Sequence, residues 1–476
     1  MSFWRNLFEM IFGRSELAPP ISRPVPDSPP PPPPTGQTDP SPTPPPVAPE
    51  PTPVPPPAPE PASPAPTSSD GQTVAQRVRD LIQLGVVDAA VPDAAVNTFV
   101  TALERITRLS LSDVLNSLDK IELRRLPAAD DASLTVSQLQ AALGIMGFFP
   151  GGEVDGICGY RTEAAIRLFQ EHVRTMDDVA GMLPDGLYGP KTHEHLVRYM
   201  AAGRRMDWQQ VPGEYDLWID FLRSTQANYI ASPDRVTQAV NAFTAQTDTR
   251  KPADWVTDGA GQIHLIGVRR TEFDGKFDDI FVLLIDGMVF KFQGSTEPGS
   301  TTDSRGRPYL VPGQHIYNFG WHQKKYRALR PLHLGGDDGV LIIRAGSNQR
   351  LDPEDLDRGL EANSSINIHW AGKGMKFDVS TWSAGCQVIT GTVYLNPAGQ
   401  MIRCDSFVGK NNGDAMNLRS KTRGAYTLLA DLITALSGGI GTQHVNYTMV
   451  TEADLVAAPE IASRLQAARS ELIAAL

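Results

Sequence analysis

Two periodicities divide the chain. Phe3, Trp4, Leu7, Phe8, Ile11 and Phe12 recur at helical spacing, with Arg5, Asn6, Glu9 and Arg14 on the opposite face. That pattern predicts an amphipathic helix over 1–16. Helical spacing returns over 71–126, in Val74, Val78, Leu81 and Ile82 and again in Phe99, Leu103, Ile106 and Leu109, with Ser110 placed to cap a third helix. Residues 132–201 and 210–250 continue the helical pattern, the second with Ser232 or Asp234 as a cap. Beyond Gln262 the period shortens to two. His264–Val268, Ile280–Ile285, Met288–Phe292, His315–Phe319, Val340–Arg344, Ile366–His369 and Val388–Leu395 read as strands, with Asp286-Gly287 as a hairpin turn. Helices at Ala425–Leu436 and Glu452–Leu476 close the chain. The predicted fold class is multidomain α+β: a small all-α module ahead of a mostly-β domain over 255–476 with flanking helices, joined by a helical connector over 210–250.

Between the first helix and the rest, Pro19–Pro66 holds 25 prolines in 48 residues. Such a segment builds no core and favours extended polyproline II. At about 3.1 Å per residue it reaches roughly 150 Å. Residues 17–70 are therefore expected to be a disordered spacer, and the helix before it a docking or targeting peptide for a carrier rather than part of the fold.

Composition removes several classes of function. The net charge is −11 and no basic block occurs, which argues against nucleic acid or an anionic membrane surface as main partner. Three cysteines, Cys158, Cys386 and Cys404, make no disulfide framework. No apolar run approaches the roughly 18 residues of a membrane span. Charges at Arg5 and Glu9 interrupt any secretory-signal core.

A near-repeat lies inside 132–201. Val154-Asp155-Gly156-Ile157-Cys158-Gly159-Tyr160-Arg161-Thr162 returns thirty positions later as Pro184-Asp185-Gly186-Leu187-Tyr188-Gly189-Pro190-Lys191-Thr192. Asp-Gly supplies a tight turn, and the threonine is expected to cap the helix that follows. With Leu139-Gln140-Ala141-Ala142-Leu143 and Phe169-Gln170, the segment resembles the three-helix peptidoglycan-binding domain found beside many wall-active enzymes. The resemblance implies non-catalytic binding of cell-wall glycan or stem peptide. The motif glycines and threonines read as structural, and Cys158 as an inert thiol.

Candidate chemistry lies in Ile366–Ile389, INIHWAGKGMKFDVSTWSAGCQVI. A cysteine is a useful nucleophile as thiolate, and an imidazole is the commonest activator. Seventeen positions separate His369 from Cys386, so they meet only if the chain leaves a strand at one and returns at the other. Ala384 and Gly385 leave the preceding N–H groups uncrowded for an oxyanion. The plain alternative is a buried small thiol beside an ordinary histidine.

Set in a strand-rich domain, His369 and Ser383-Ala384-Gly385-Cys386 are similar to the L,D-transpeptidase signature of a strand-end histidine followed by Ser/Thr-His-Gly-Cys. The resemblance implies Cys386 as nucleophile and His369 as base, the Trp370 carbonyl orienting the imidazole, amides at Gly385 and Cys386 facing the oxyanion, and Ser383 shaping the loop. It departs from the family at Ala384, where a second histidine stands, and at Gln387, where Arg or Asn is usual. Val311-Pro312-Gly313-Gln314-His315 matches the family's Thr-Pro-x-Gly segment only loosely.

Gln387, Tyr317, His322 and Tyr326 are expected to line a substrate cleft, with Lys324 nearby. His315, His322 and His333 lack HxH or HExxH spacing, so no metal and no cofactor is expected. Cys404 reads as structural. The expected function is cysteine-dependent acyl transfer or hydrolysis on wall stem peptides, with peptidoglycan as partner and the cell envelope as place of action, delivered by a phage-like or secretion particle. The alternative is a non-catalytic anchor, or an inactive relative, that tethers a carrier to peptidoglycan.

Overall fold

The computed structural model describes residues 134–475 except 135, 150–153, 155–157, 271–275, 300–303, 323–325, 333–338, 347–349, 373–382, 412–414, 416–420 and 438–443. The helix expected over 1–16, the arm over 17–70 and the helical region over 71–126 lie outside the described residues.

The module comprises α1 (Val136–Ile145), α2 (Tyr160–Met176) and α3 (Pro190–Ala202). Leu139, Leu143, Ala165, Phe169 and Leu196 fill its centre. The repeat explains itself structurally. Gln140 Nε2 donates to Thr162 Oγ1 at 3.0 Å, and Gln170, thirty positions on, donates to Thr192 Oγ1 at 3.1 Å. Gln170 also accepts the Gly186 N–H at 2.9 Å, so one buried amide stitches the second turn to α2. The threonines are therefore not helix caps. Gly159 and Gly189 hold the cap positions, with no side-chain capping bond, and Thr162 and Thr192 sit inside the first turns.

Two helices follow, α4 (Glu214–Ala231) and α5 (Arg235–Ala242). Asp234 caps α5, accepting the Thr237 N–H at 2.7 Å, while Ser232 ends α4.

Nine strands then form one sheet: β1 (His264–Arg269), β2 (Asp279–Ile285), β3 (Met288–Ser295), β5 (Gly313–His322), β6 (Tyr326–Pro331), β9 (Ile368–Trp370), β10 (Gln387–Leu395), β11 (Met401–Arg403) and β12 (Val445–Thr451). Its order is β11-β10-β3-β2-β1-β12-β5-β6-β9, and a further β9–β10 pairing closes it into a barrel with β11 appended. A small second sheet joins β4 (Pro308–Leu310), β7 (Val340–Arg344) and β8 (Glu361–Asn363). The expected Asp286-Gly287 hairpin is present. Both residues have positive φ, 49° and 78°, as the turn that matches strand twist requires.

The continuous apolar run of β2 reflects burial on both faces. Phe281, Leu283 and Ile285 point into the inner cluster, and Ile280, Val282 and Leu284 into an outer one. Outside, α4 supplies Trp218 and Leu222, and α7 (Pro459–Ala474) supplies Ile461, Leu465 and Leu472. The 210–250 connector is thus partly barrel wall. Glu214, the first residue of α4, takes a buried hydrogen bond from Lys291 Nζ on β3 at 2.6 Å. Pro459 opens α7, so the helix expected from Glu452 begins there, after a short 3-10 turn over Glu452–Ala457.

Inside, α6 (Ala425–Leu436) lies between the barrel and the module, and one apolar cluster runs from Leu139 and Phe169 through Leu432 to Phe290 and Tyr394. Arg167 on α2 donates two bonds to Asp431 on α6, both 2.8 Å. Tyr394 on β10 donates to Glu171 on α2 at 2.5 Å. Trp208 meets Phe290 edge-on at 5.5 Å. Module and barrel share a core. Among the described residues no helix is long and apolar enough to cross a membrane.

Candidate active site

The barrel closes where His369 and Cys386 lie. Strands β9 and β10 run parallel, with Gln387 opposite Ile368, Val388 opposite His369 and Ile389 opposite Trp370. Gln387 N–H donates to Asn367 O at 2.8 Å, as the parallel ladder requires. Side chains alternate along a strand. Ile368, Trp370 and Ile389 enter the inner core, so Asn367 and His369 on one strand, and Cys386 and Val388 on the other, share the opposite face. The imidazole and the thiol are offset by two residues, roughly 6–7 Å along the strands.

His369 is buried, and its Nδ1 lies 2.9 Å from the Trp370 carbonyl. A carbonyl only accepts, so Nδ1 carries the hydrogen and Nε2 is left as the basic nitrogen. The Tyr326 hydroxyl approaches the same Nδ1 at 3.4 Å. Burial raises the Tyr326 phenol, and Arg423 beside it opposes that shift.

Cys386 is half-buried. Its Sγ donates to Ser365 O at 3.2 Å, and Asn367 Nδ2 stands 3.7 Å from the sulfur. Burial pushes the thiol up from its ordinary range, while the Asn367 backbone and side-chain amides and the Ser383 hydroxyl pull it down. Cys158 is raised to about 11, chiefly by burial, and Cys404 is held well above its ordinary range for the same reason.

The loop before Cys386 is tightly held. Ser383 is buried; its hydroxyl donates to the Cys386 carbonyl, and its own carbonyl accepts the Gly299 N–H at 2.6 Å. A Cβ on Gly385 would meet Pro308 Cγ at 2.5 Å and Ile366 Cδ1 at 3.0 Å, so only glycine fits. Ala384 is exposed.

The outer cleft expected from sequence is placed differently. Gln387 is wholly buried on the face away from Cys386, accepting the Tyr447 hydroxyl. Tyr317 is also wholly buried, donating to Ile366 O at 2.9 Å. Neither reaches a substrate arriving from solvent, because each side chain is enclosed inside the barrel. His322 ends β5 opposite Tyr326. Tyr326 reaches His369 through its hydroxyl. His315 is interior: Nε2–H donates to Val311 O at 3.0 Å and Nδ1 lies 2.9 Å from Thr249 Oγ1.

Asn367 was not singled out from sequence. Its amide stands beside the sulfur while its Oδ1, among the described residues, has no hydrogen-bond partner. The signal existed: in Ile366-Asn367-Ile368-His369 the alternation puts Asn367 and His369 on one face.

A family model described as "Putative peptidoglycan binding domain" matches residues 133–196. No curated protein and no solved structure matches the chain. The chain therefore carries a peptidoglycan-binding domain, which supports peptidoglycan as its partner and association with the cell wall.

Proposed function

We propose that the barrel is a cysteine acyltransferase or peptidase of the L,D-transpeptidase kind, acting on stem peptides of the peptidoglycan that the module binds. The observation that carries this reading is the parallel pairing that sets His369 and Cys386 on one face, with Nδ1 engaged by Trp370 O. His369 Nε2 takes the Cys386 proton, and the thiolate attacks a peptide carbonyl. The developing oxyanion is held by N–H groups at Gly385 and Cys386. The C–N bond breaks, His369 returns the proton to the departing amine, and a thioester remains. An incoming amine or water then attacks that thioester while His369 takes its proton; the C–S bond breaks, and His369 returns that proton to the departing thiolate of Cys386. An amine acceptor gives exchange or cross-linking, and water gives hydrolysis.

Incubating purified sacculi with the parent and with Cys386→Ala is the test. Loss of muropeptide release or exchange in the variant is expected, and equal release from both would sink the reading. One observation favours the non-catalytic anchor instead: burial holds the Cys386 thiol up, as in an inert cysteine. Alkylation separates the two, since an activated Cys386 reacts faster near neutral pH than Cys158 or Cys404. In either reading residues 1–16 serve as a docking segment for a carrier, with the Pro-rich stretch between it and the module; carrier association should be lost on deleting residues 1–16.

A further inference from the structure

A cleft of about 240 Å³ opens along the seam between module and barrel. One wall is α2 with the Asp185 turn, and the other is the start of β6, the 421–423 segment and α6. It is separate from the Cys386 face, but Tyr326 belongs to both, lining the cleft while its hydroxyl approaches His369.

The carboxylates here are engaged. Asp431 receives both bonds from Arg167, and Glu163 shares the same guanidinium at 3.3 Å. Asp185 accepts from Gln170 at 2.9 Å and from the Leu187 N–H at 2.9 Å. The cations opposite are differently disposed. Arg327 stacks over the Tyr160 ring at 4.1 Å and, among the described residues, meets no carboxylate. Lys421 gives one bond, 2.8 Å, to Ser406 O. A guanidinium stacked on an aromatic face keeps its N–H edge for a planar anion. Tyr160 is 52% exposed, a large ring left at the rim. The volume falls just under the roughly 300 Å³ where drug-sized sites begin, so the cleft suits a short segment and not a glycan strand.

We propose that this seam cleft is a subsite for a short, carboxylate-bearing stretch of stem peptide, held by Arg327 and Lys421 with Tyr160 as its platform. The ligand's identity rests on the reading of peptidoglycan stem peptides as substrate. An occupant touches Tyr326, so its arrival reaches the His369 ring through one hydroxyl.

The test uses the full chain carrying Cys386→Ala, titrated by calorimetry with a disaccharide–tetrapeptide muropeptide, the same compound with its carboxylates amidated, and the peptide-free disaccharide. The acidic form should bind roughly ten- to hundredfold tighter than the amidated one, as a charge-assisted hydrogen bond provides. Arg327→Gln should remove that advantage, Arg327→Lys should keep part of it, and Tyr160→Ala should weaken the acidic form. The His369 ring resonances should shift on titration in an Arg327-dependent way. Equal binding of acidic and amidated forms, binding accounted for by the disaccharide alone, or an Arg327→Gln variant indistinguishable from its parent each overturns the proposal. These titrations need no turnover. Failure of the cleft leaves the Cys386 assay standing, and a silent Cys386 leaves an Arg327-dependent isotherm standing.

Discussion

Asn367 faces Cys386 across the last step of the parallel register, its amide nitrogen 3.7 Å from the sulfur. In a site where burial raises the thiol, this amide is a donor that favours the thiolate. Asn367→Ala should therefore move the pH profile of Cys386 alkylation to higher pH and lower turnover near neutrality about tenfold, one pKa unit being a tenfold change in thiolate. Asn367→Asp should move the profile further, since a carboxylate beside a thiolate repels it. An unmoved profile in both variants would leave Asn367 a packing residue.

Gly385 tests the loop itself. Alanine there would place a Cβ 2.5 Å from a proline ring carbon that cannot swing away. The segment from Ser383 to Cys386 must shift, at a cost of about 1–3 kcal/mol. The expected result is a lower denaturation midpoint together with loss of Cys386 reactivity. Ala384→Gly should leave stability within about 0.5 kcal/mol, because Ala384 is exposed.

Arg167 tests the seam. Removing it takes both guanidinium bonds from Asp431, whose side chain is nearly buried at 5% exposure. Breaking a buried pair from one side costs about 3–5 kcal/mol. Arg167→Ala should lower the melting temperature and bring cleavage sites in α3 and the 203–213 segment within reach of protease. Asp431→Asn together with Arg167→Met should recover most of the loss.

Acid should weaken the fold through two histidines. Burial lowers His172 to about 4 and His315 to about 3, below the ordinary 6.5. In the unfolded chain both bind protons near pH 6.5, and in the fold neither does. Stability is therefore full above pH 6.5 and is lost as pH falls towards 4, on the order of 3 kcal/mol for each. Asp279 runs the other way. Burial raises it to about 6, so it gains stability as pH drops from 6 towards 3.8 and offsets part of the loss. Urea midpoints between pH 7 and 4.5 should fall, and should fall more steeply in Asp279→Asn. A flat profile would contradict the buried neutral histidines.

Local elements were legible in sequence, and long-range closure was not. The Asp286-Gly287 hairpin, the Ala425–Leu436 helix and the peptidoglycan-binding repeat each announce themselves within a few turns of chain. Strand β12 escaped because its parallel partner lies far off: it pairs with β1 across about 180 residues of sequence. Tyr317 and Gln387 look like cleft residues as letters, because a polar side chain buried inside a barrel reads like one facing solvent. The threonines of the repeat misled for a related reason. Their hydroxyls bind glutamines 22 residues away, whereas a cap would be local. His369 and Cys386 were found by residue type, but the strand that aligns them is three residues long and carries no strong local signal.

The single apolar cluster running from module to barrel has a mechanical consequence. A binding module on a loose leash raises the local concentration of its enzyme and leaves orientation free. One fused through α2 and α6 cannot swing. Wherever α1, α2 and α3 settle on a surface, the His369 face is carried at a set angle and a set distance from that footing. Such a molecule behaves as a gauge, addressing positions at one offset from its anchor.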